Sequence, residues 1–340
     1  MNMKKRIAVF LMAGLMGISM LIGGCSSKSE EKAQEYKELG IKQMKEESYE
    51  DAVASFQKAL DQSLGTVGAQ EVDVCLYKAL AQFKSGDVDG AIETYSGLID
   101  YNKKNWEAYY LRGCVYLKSG QEELCLKDFE QAVTLNGKDF KLYSHIYENL
   151  AAAGYEEQGQ KYLAEAVNLK VSSAEDYAGI GYVYFLKQDY ENAENNLKQA
   201  VEKGYDKALL ELGQVYAANG KTEEAKASFE SYMEKYPKDS TALNELGEIA
   251  LSAEDYEDAV KYFSQAAEVA EKSDLQEIWR NLVVAYERTG DFDNALDIAK
   301  DYVGEFPNDE SMQKEYEFLQ TRASDEPGDT GENVISGEVE

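Results

Sequence analysis

Small residues recur along this chain in pairs twelve positions apart, and the pairs repeat at intervals close to 34 residues. The segment at 36–60, YKELGIKQMKEESYEDAVASFQKAL, can be laid over 177–201, YAGIGYVYFLKQDYENAENNLKQAV, and over 209–233, LLELGQVYAANGKTEEAKASFESYM. Each carries a small residue, an acidic turn, an alanine twelve positions on, and an aromatic or leucine four further. In one register the units begin at Ala33, Val72, Trp106, Phe140, Ala174, Asp206, Ser240 and Gln276, with spacings of 39, 34, 34, 34, 32, 34 and 36. A self-similar period of this length specifies stacked copies of one supersecondary unit, none of which buries its apolar face alone.

Position 8 of the unit is Gly40, Ala79, Gly113, Gly181, Gly213 and Gly247 in six copies. Position 20 is Ala52, Ala91, Cys125, Gly159, Ala193, Ala225, Ala259 and Ala295. Small side chains at both positions are what two crossing helices need for close approach. Position 24 supplies bulk, with Phe56, Tyr95, Phe129, Leu163, Leu197, Phe229 and Phe263. Units four and eight depart from the pattern: Tyr147 and Val283 take position 8, and Ala299 takes position 24 of the last unit. Position 18 is acidic in all eight units, from Glu50 and Asp89 through Asp293. A carboxylate in the first turn of a helix gains roughly 0.3–1 kcal/mol from the helix dipole. Pro237 and Pro307 fall at position 32, where a second helix must stop. With only three prolines in 340 residues, the chain reads as helical nearly throughout.

This pattern resembles the tetratricopeptide repeat, a helix–turn–helix unit of about 34 residues, over residues 33–307. The resemblance implies an all-α fold, a right-handed α-solenoid of about eight such units. An amphipathic segment near Glu310–Arg322 is expected to close its exposed end as a capping helix. The domains are then a leader at 1–24, a tether at 25–32, the solenoid with its capping helix at 33–322, and a tail at 323–340. That tail, ASDEPGDTGENVISGEVE, has no cation and no periodicity, and reads as disordered.

The N-terminus has its own logic. MNMKKRIAVFLMAGLMGISMLIGGCSSK opens with Lys4, Lys5 and Arg6, runs apolar from Ile7 to Ile22, and reaches Cys25 through Gly23 and Gly24. That is the pattern of a secretory leader, and the apolar run is short and glycine-rich for a transmembrane span. LIGGC resembles the bacterial lipobox, which implies that Cys25 receives a diacylglycerol and becomes the first residue after cleavage. Two acyl chains suffice for stable membrane attachment where one is marginal. The expected location is the extracytoplasmic face of a bacterial membrane. The net charge of −29 opposes phosphate backbones, so no nucleic-acid partner is expected.

Catalytic chemistry has little to work with. His145 is the only histidine, which leaves His-based metal sites and a Ser–His–Asp arrangement without parts. Cys75, Cys114 and Cys125 are an odd set for a disulfide framework, though a local Cys114–Cys125 bridge stays open. Cys125 occupies small position 20 and reads as a packing residue. There is no glycine-rich phosphate loop and no EF-hand spacing among the acidic pairs. No enzymatic activity, cofactor or metal site is expected.

By the family resemblance, positions 2, 5, 9, 12 and 13 of each first helix face a concave groove. This implies candidate peptide-binding residues Leu76, Leu80, Phe83, Tyr110, Leu117, Tyr182, Phe185, Leu186 and Leu210. Units seven and eight turn polar there, with Asn244, Glu248, Arg280, Glu287 and Arg288. Lys37 is followed by Ile41 and Tyr77 in place of the asparagines of the family's carboxylate clamp, so recognition of a chaperone C-terminus is not indicated. The function expected is a membrane-tethered, extracytoplasmic scaffold for protein or peptide partners in the bacterial cell envelope. The alternative is a solute- or glycan-binding lipoprotein serving a transporter or a cell-wall hydrolase.

Overall fold

The computed structural model describes residues 28–63 and 67–323. The expected leader at 1–24, the expected lipidation site Cys25 and the tail from 324 onward lie outside the described residues. Among the described residues there are seventeen α-helices and no strand, an all-α helical repeat fold.

The chain forms two compact units. The first contains α1 (Lys28–Lys45), α2 (Tyr49–Asp61), α3 (Ala69–Lys84), α4 (Val88–Tyr101), α5 (Trp106–Lys118), α6 (Glu122–Leu135), α7 (Phe140–Ala152) and α8 (Glu156–Ala166). They pack as successive pairs, α1 on α2, α3 on α4, α5 on α6 and α7 on α8, with α2 on α3 and α4 on α5 joining the pairs. Helix α9 (Ala174–Leu186) is divided: residues from Tyr182 belong to the first unit and those up to Gly181 to the second. The second unit continues with α10 (Tyr190–Glu202), α11 (Ala208–Ala218), α12 (Thr222–Met233), α13 (Ser240–Ser252), α14 (Tyr256–Val269), α15 (Lys272–Thr289), α16 (Phe292–Glu305) and α17 (Glu310–Ala323). Helix α17 packs on α16 and buries Met312 and Leu319, as a cap on that end of the second unit.

Four first helices, α5, α7, α9 and α13, begin at the expected unit starts Trp106, Phe140, Ala174 and Ser240. The tether needs correcting. Residues 28–32 are already helical, because Glu30 and Glu31 in the first turn of α1 favour a helix start there. The acidic residue at position 18 lies in the first turn of the second helix in every unit. Three of these turns are also joined by a capping aspartate: Asp87 accepts from the Gly90 amide, Asp189 from the Asn192 amide and Asp291 from the Asn294 amide.

The sequence places positions 8 and 20 at the helix crossing, and the structure sharpens this. Position 8 faces the ring at position 24. A Cβ added to Gly40, Gly113, Gly213 or Gly247 would lie 2.5–2.8 Å from a ring carbon of Phe56, Phe129, Phe229 or Phe263. Gly181 meets Leu197 in the same way, at 2.7 Å. The two irregular units solve the same problem by redistributing volume. In unit four Tyr147 occupies position 8, and position 20 gives way instead: a Cβ on Gly159 would lie 2.9 Å from the Tyr147 ring. In unit eight Val283 stands opposite a shrunken position 24, and both Val283 and Ala299 are fully buried.

Position 15, two residues before the second helix of each unit begins, adopts a left-handed backbone in all eight units. Five units place glycine there, and three place Glu47, Gln188 and Glu254, with φ of 57°, 60° and 62°. A side chain in this region is strained, whereas glycine enters it freely.

Two measurements check this account. Gly247→Val should destabilise by about 1–3 kcal/mol and Phe263→Ala by about 3–5 kcal/mol. The double variant, which reproduces the Val283–Ala299 solution, should cost clearly less than the sum in a urea-unfolding cycle. Gln188→Gly should raise the unfolding midpoint, by a few tenths to about 1 kcal/mol, because relief of left-handed strain exceeds the entropy that glycine adds to the unfolded chain.

Candidate functional site

The nine candidate groove residues divide sharply. In the first unit Leu76, Leu80, Tyr110 and Leu117 are only 2–8% exposed, so they line no open surface. Their burial is a correction to the sequence reading, and its cause is contact with neighbouring elements. Leu80 joins the core built from Phe56, Ala59 and Val74. The Tyr110 ring lies 5.8 Å from that of Phe129 on α6, and its hydroxyl accepts a hydrogen bond from Asn149 Nδ2 on α7 at 3.1 Å. Phe83, Tyr182, Phe185 and Leu186 remain half-buried in the same unit, and Leu210 is half-buried in the second.

Tyr182 and Phe185 form one aromatic surface, with ring centroids 5.9 Å apart and planes inclined by 41°. It stands on helix residues that the core has already claimed, since Ile180 and Val183 are buried. Tyr184 and Tyr190 are half-buried.

Beneath the aromatic pair lies a carboxylate. Glu148 of α7 is 4% exposed, and its Oε1 accepts a 2.5 Å hydrogen bond from the Tyr182 hydroxyl. Its other oxygen, Oε2, is buried with no hydrogen-bond partner among the described residues. So is the hydroxyl of Ser144, one turn earlier on α7. Residues four apart share a helix face, so the two unpartnered groups lie on the same side of α7. Burial pushes the Glu148 carboxyl up to about 7, and the Tyr182 hydroxyl draws it back in part. Nearby, burial drives the Cys114 thiol up to about 12, which keeps it protonated and unreactive.

Sequence reasoning passed over both groups. Ser144 and Glu148 occupy positions 5 and 9 of unit four, two of the groove positions, but a search for apolar side chains skips them. The register was the signal that could have found them.

On the first helices of the second unit, several polar groups satisfy one another. Gln214 Nε2 donates to Glu245 at 3.2 Å, Asn244 Nδ2 to Glu248 at 3.1 Å, and Asn281 Nδ2 to Asn244 at 3.2 Å. Arg280 donates to the Tyr302 hydroxyl at 2.7 Å and pairs with Asp309. Cys75, Cys114 and Cys125 are free thiols, so the local Cys114–Cys125 bridge is not formed. No group of three His, Cys, Asp or Glu side chains among the described residues is arranged to hold a metal. None of the described helices is long and apolar enough to cross a membrane.

Folding raises the Glu148 pKa above its ordinary 4.5, so the folded chain binds more protons than the unfolded one between about 4.5 and 7. Stability contributed by this group is therefore greatest below that window and falls as pH rises through it. Glu148→Gln keeps an acceptor for Tyr182 and removes the charge. It should stabilise the protein at pH 8 by roughly 3 kcal/mol and change little at pH 4, as read by thermal unfolding at the two values.

Comparison with known proteins agrees with the repeat register. A sequence profile described as tetratricopeptide repeat matches residues 38–95, 179–240, 210–275 and 244–310, and two further profiles of this repeat match 79–120 and 107–139. TPR repeat-containing protein MJ1428 of Methanocaldococcus jannaschii is 29% identical over 155 residues, covering 42% of this chain and 27% of that protein. Human tetratricopeptide repeat protein 13 is 28% identical over 171 residues, covering 48% of this chain and 20% of that protein. The chain thus spans about a quarter of the first relative's length and a fifth of the second's. Among solved structures, a tetratricopeptide repeat protein from Parabacteroides merdae is 15% identical, with a TM-score of 0.49, over 75% of this chain and 99% of that one. On the extent of the profile match, the chain belongs to the tetratricopeptide repeat family.

Proposed function

We propose that this protein is a non-catalytic scaffold that binds protein or peptide partners, tethered to the extracytoplasmic face of a bacterial membrane through Cys25. The observation that carries the binding role is the half-buried aromatic surface of Tyr182 and Phe185, continued by Leu186. Gly181 and Val183 on the same helix meet the packing needs of the repeat. Partly exposed aromatic residues on a rigid helix face are the side chains that anchor partner segments, because they bring large contact area at low entropic cost.

The tether follows from the sequence of the leader and the LIGGC segment. Helix α1 begins at Lys28, three residues after Cys25, so a lipid on Cys25 holds the first repeat within about 10 Å of its anchor point. A scaffold so placed works at the bilayer surface, within reach of membrane-bound assemblies.

Two variants test the two halves of this reading. Tyr182→Ala combined with Phe185→Ala should abolish retention of specific envelope proteins in affinity capture while the helical circular dichroism stays intact. Unchanged retention would overturn the groove assignment. Cys25→Ser should move the protein from the membrane fraction to the soluble one; a variant that remains in membranes and unprocessed would refute lipid anchoring.

A further inference from the structure

The proposed binding surface has at its base a buried carboxyl that no cation among the described residues neutralises. Resting on the scaffold reading above, we propose that Glu148 is an anchor for a cationic side chain, lysine or arginine, of a bound partner segment whose stem lies against Tyr182 and Phe185. Four observations converge on this chemistry.

Glu148 Oε2 and Ser144 Oγ are two unpartnered buried acceptors on one face of α7. An ammonium offers three donors and a guanidinium five, so either can satisfy both. The aromatic pair supplies the second element. Rings of Tyr and Phe attract a cation at their faces, and long basic side chains cover apolar surface with their methylenes. The third observation concerns what faces the carboxyl: the Tyr182 hydroxyl from α9 and the Tyr110 hydroxyl from α5, with Tyr147 beside it on α7. Among the described residues no cation acts on the Glu148 carboxyl. The fourth is the net charge of −29, which draws basic segments toward the protein and accelerates their encounter.

Other occupants fit less well. An acidic segment would set like charges together in a dry site. A purely apolar anchor would seal an unsatisfied carboxylate further from water, a cost that a hydrogen-bonded cation avoids. The Tyr182 hydroxyl keeps one carboxylate oxygen in place while the other is buried with no donor of its own. This fixes the direction from which an incoming cation is held and makes Tyr182 both wall and clasp.

The test uses the full-length chain and an arrayed peptide library with random flanks around a fixed central residue: lysine, arginine, acetyl-lysine, norleucine or glutamate. Lysine- and arginine-centred peptides should bind at least about tenfold more tightly than their acetyl-lysine twins, the scale of a charged hydrogen bond. Glu148→Gln should erase that preference, while Glu123→Gln, at an exposed carboxylate, should keep it. Tyr182→Phe, which retains the ring, should keep the preference as well. Wild-type affinity for the lysine peptides should rise between pH 6 and pH 8, and that rise should vanish in Glu148→Gln. A preference indifferent to acetylation, or lost equally in both glutamine variants, would overturn the anchor. Should norleucine peptides bind wild type and fail on the Tyr182→Ala, Phe185→Ala double variant, without any gain from lysine, the groove stands and the cationic anchor falls. If no peptide class binds, both fall.

Discussion

In five of the eight helix pairs the side chain at position 24 reaches across and rests where a Cβ at position 8 would otherwise lie. In four units this is a phenylalanine ring against glycine, close enough that a single added carbon would sit inside the ring's contact radius. Helix pairs pack at 8–10 Å between axes depending on the residues at the contact, so the volume at this crossing sets the spacing within each pair. The irregular units show that volume matters more than residue identity. Tyr147 with Gly159, and Val283 with Ala299, reach burial by moving bulk from one side of the crossing to the other. Interiors packed at crystal-like density tolerate such exchanges when the total is kept.

Because this contact recurs at a fixed period, much of the fold is legible before any coordinates. The register, the acidic first turns and the cap at Glu310–Ala323 follow from spacing and residue size, which are properties of the sequence. What escaped was conformational. The left-handed residue at position 15 is masked in three units by Glu47, Gln188 and Glu254, side chains that do not advertise positive φ. Helix α1 likewise starts earlier than expected, since a polar, charged stretch reads as tether until Glu30 and Glu31 are seen in a first turn.

The candidate site was less legible, for a different reason. A family register says which positions point to a groove and leaves open how far neighbouring helices close over them. Tyr110 and Leu80 satisfy the pattern and are nevertheless enclosed, one by Phe129 and Asn149 and the other by the core around Phe56. Hydropathy also steers attention to the wrong members of the set. Glu148 looks like an ordinary surface residue in sequence, and only three-dimensional packing reveals a carboxyl 4% exposed with one oxygen satisfied. The second unit contrasts with this. Its polar residues Gln214, Glu245, Asn244 and Glu248 are paired with one another, so their burial asks for nothing further.

A buried carboxyl with a pKa near 7 changes what binding means energetically. Near neutral pH the carboxyl is within its titration range, and its charged form is stabilised by a single tyrosine hydroxyl. A neutral partner gains only what its own contacts provide. A cationic partner gains those contacts and also removes a cost that the free protein carries, because ionised Glu148 is less well solvated than in the unfolded chain. The difference between the two is a selectivity that requires no additional surface area. It depends on Glu148 staying dry, which the aromatic side chains ensure, and on the Tyr182 hydroxyl leaving Oε2 uncommitted. The same residues that give the face its apolar character thus set its preference for charge.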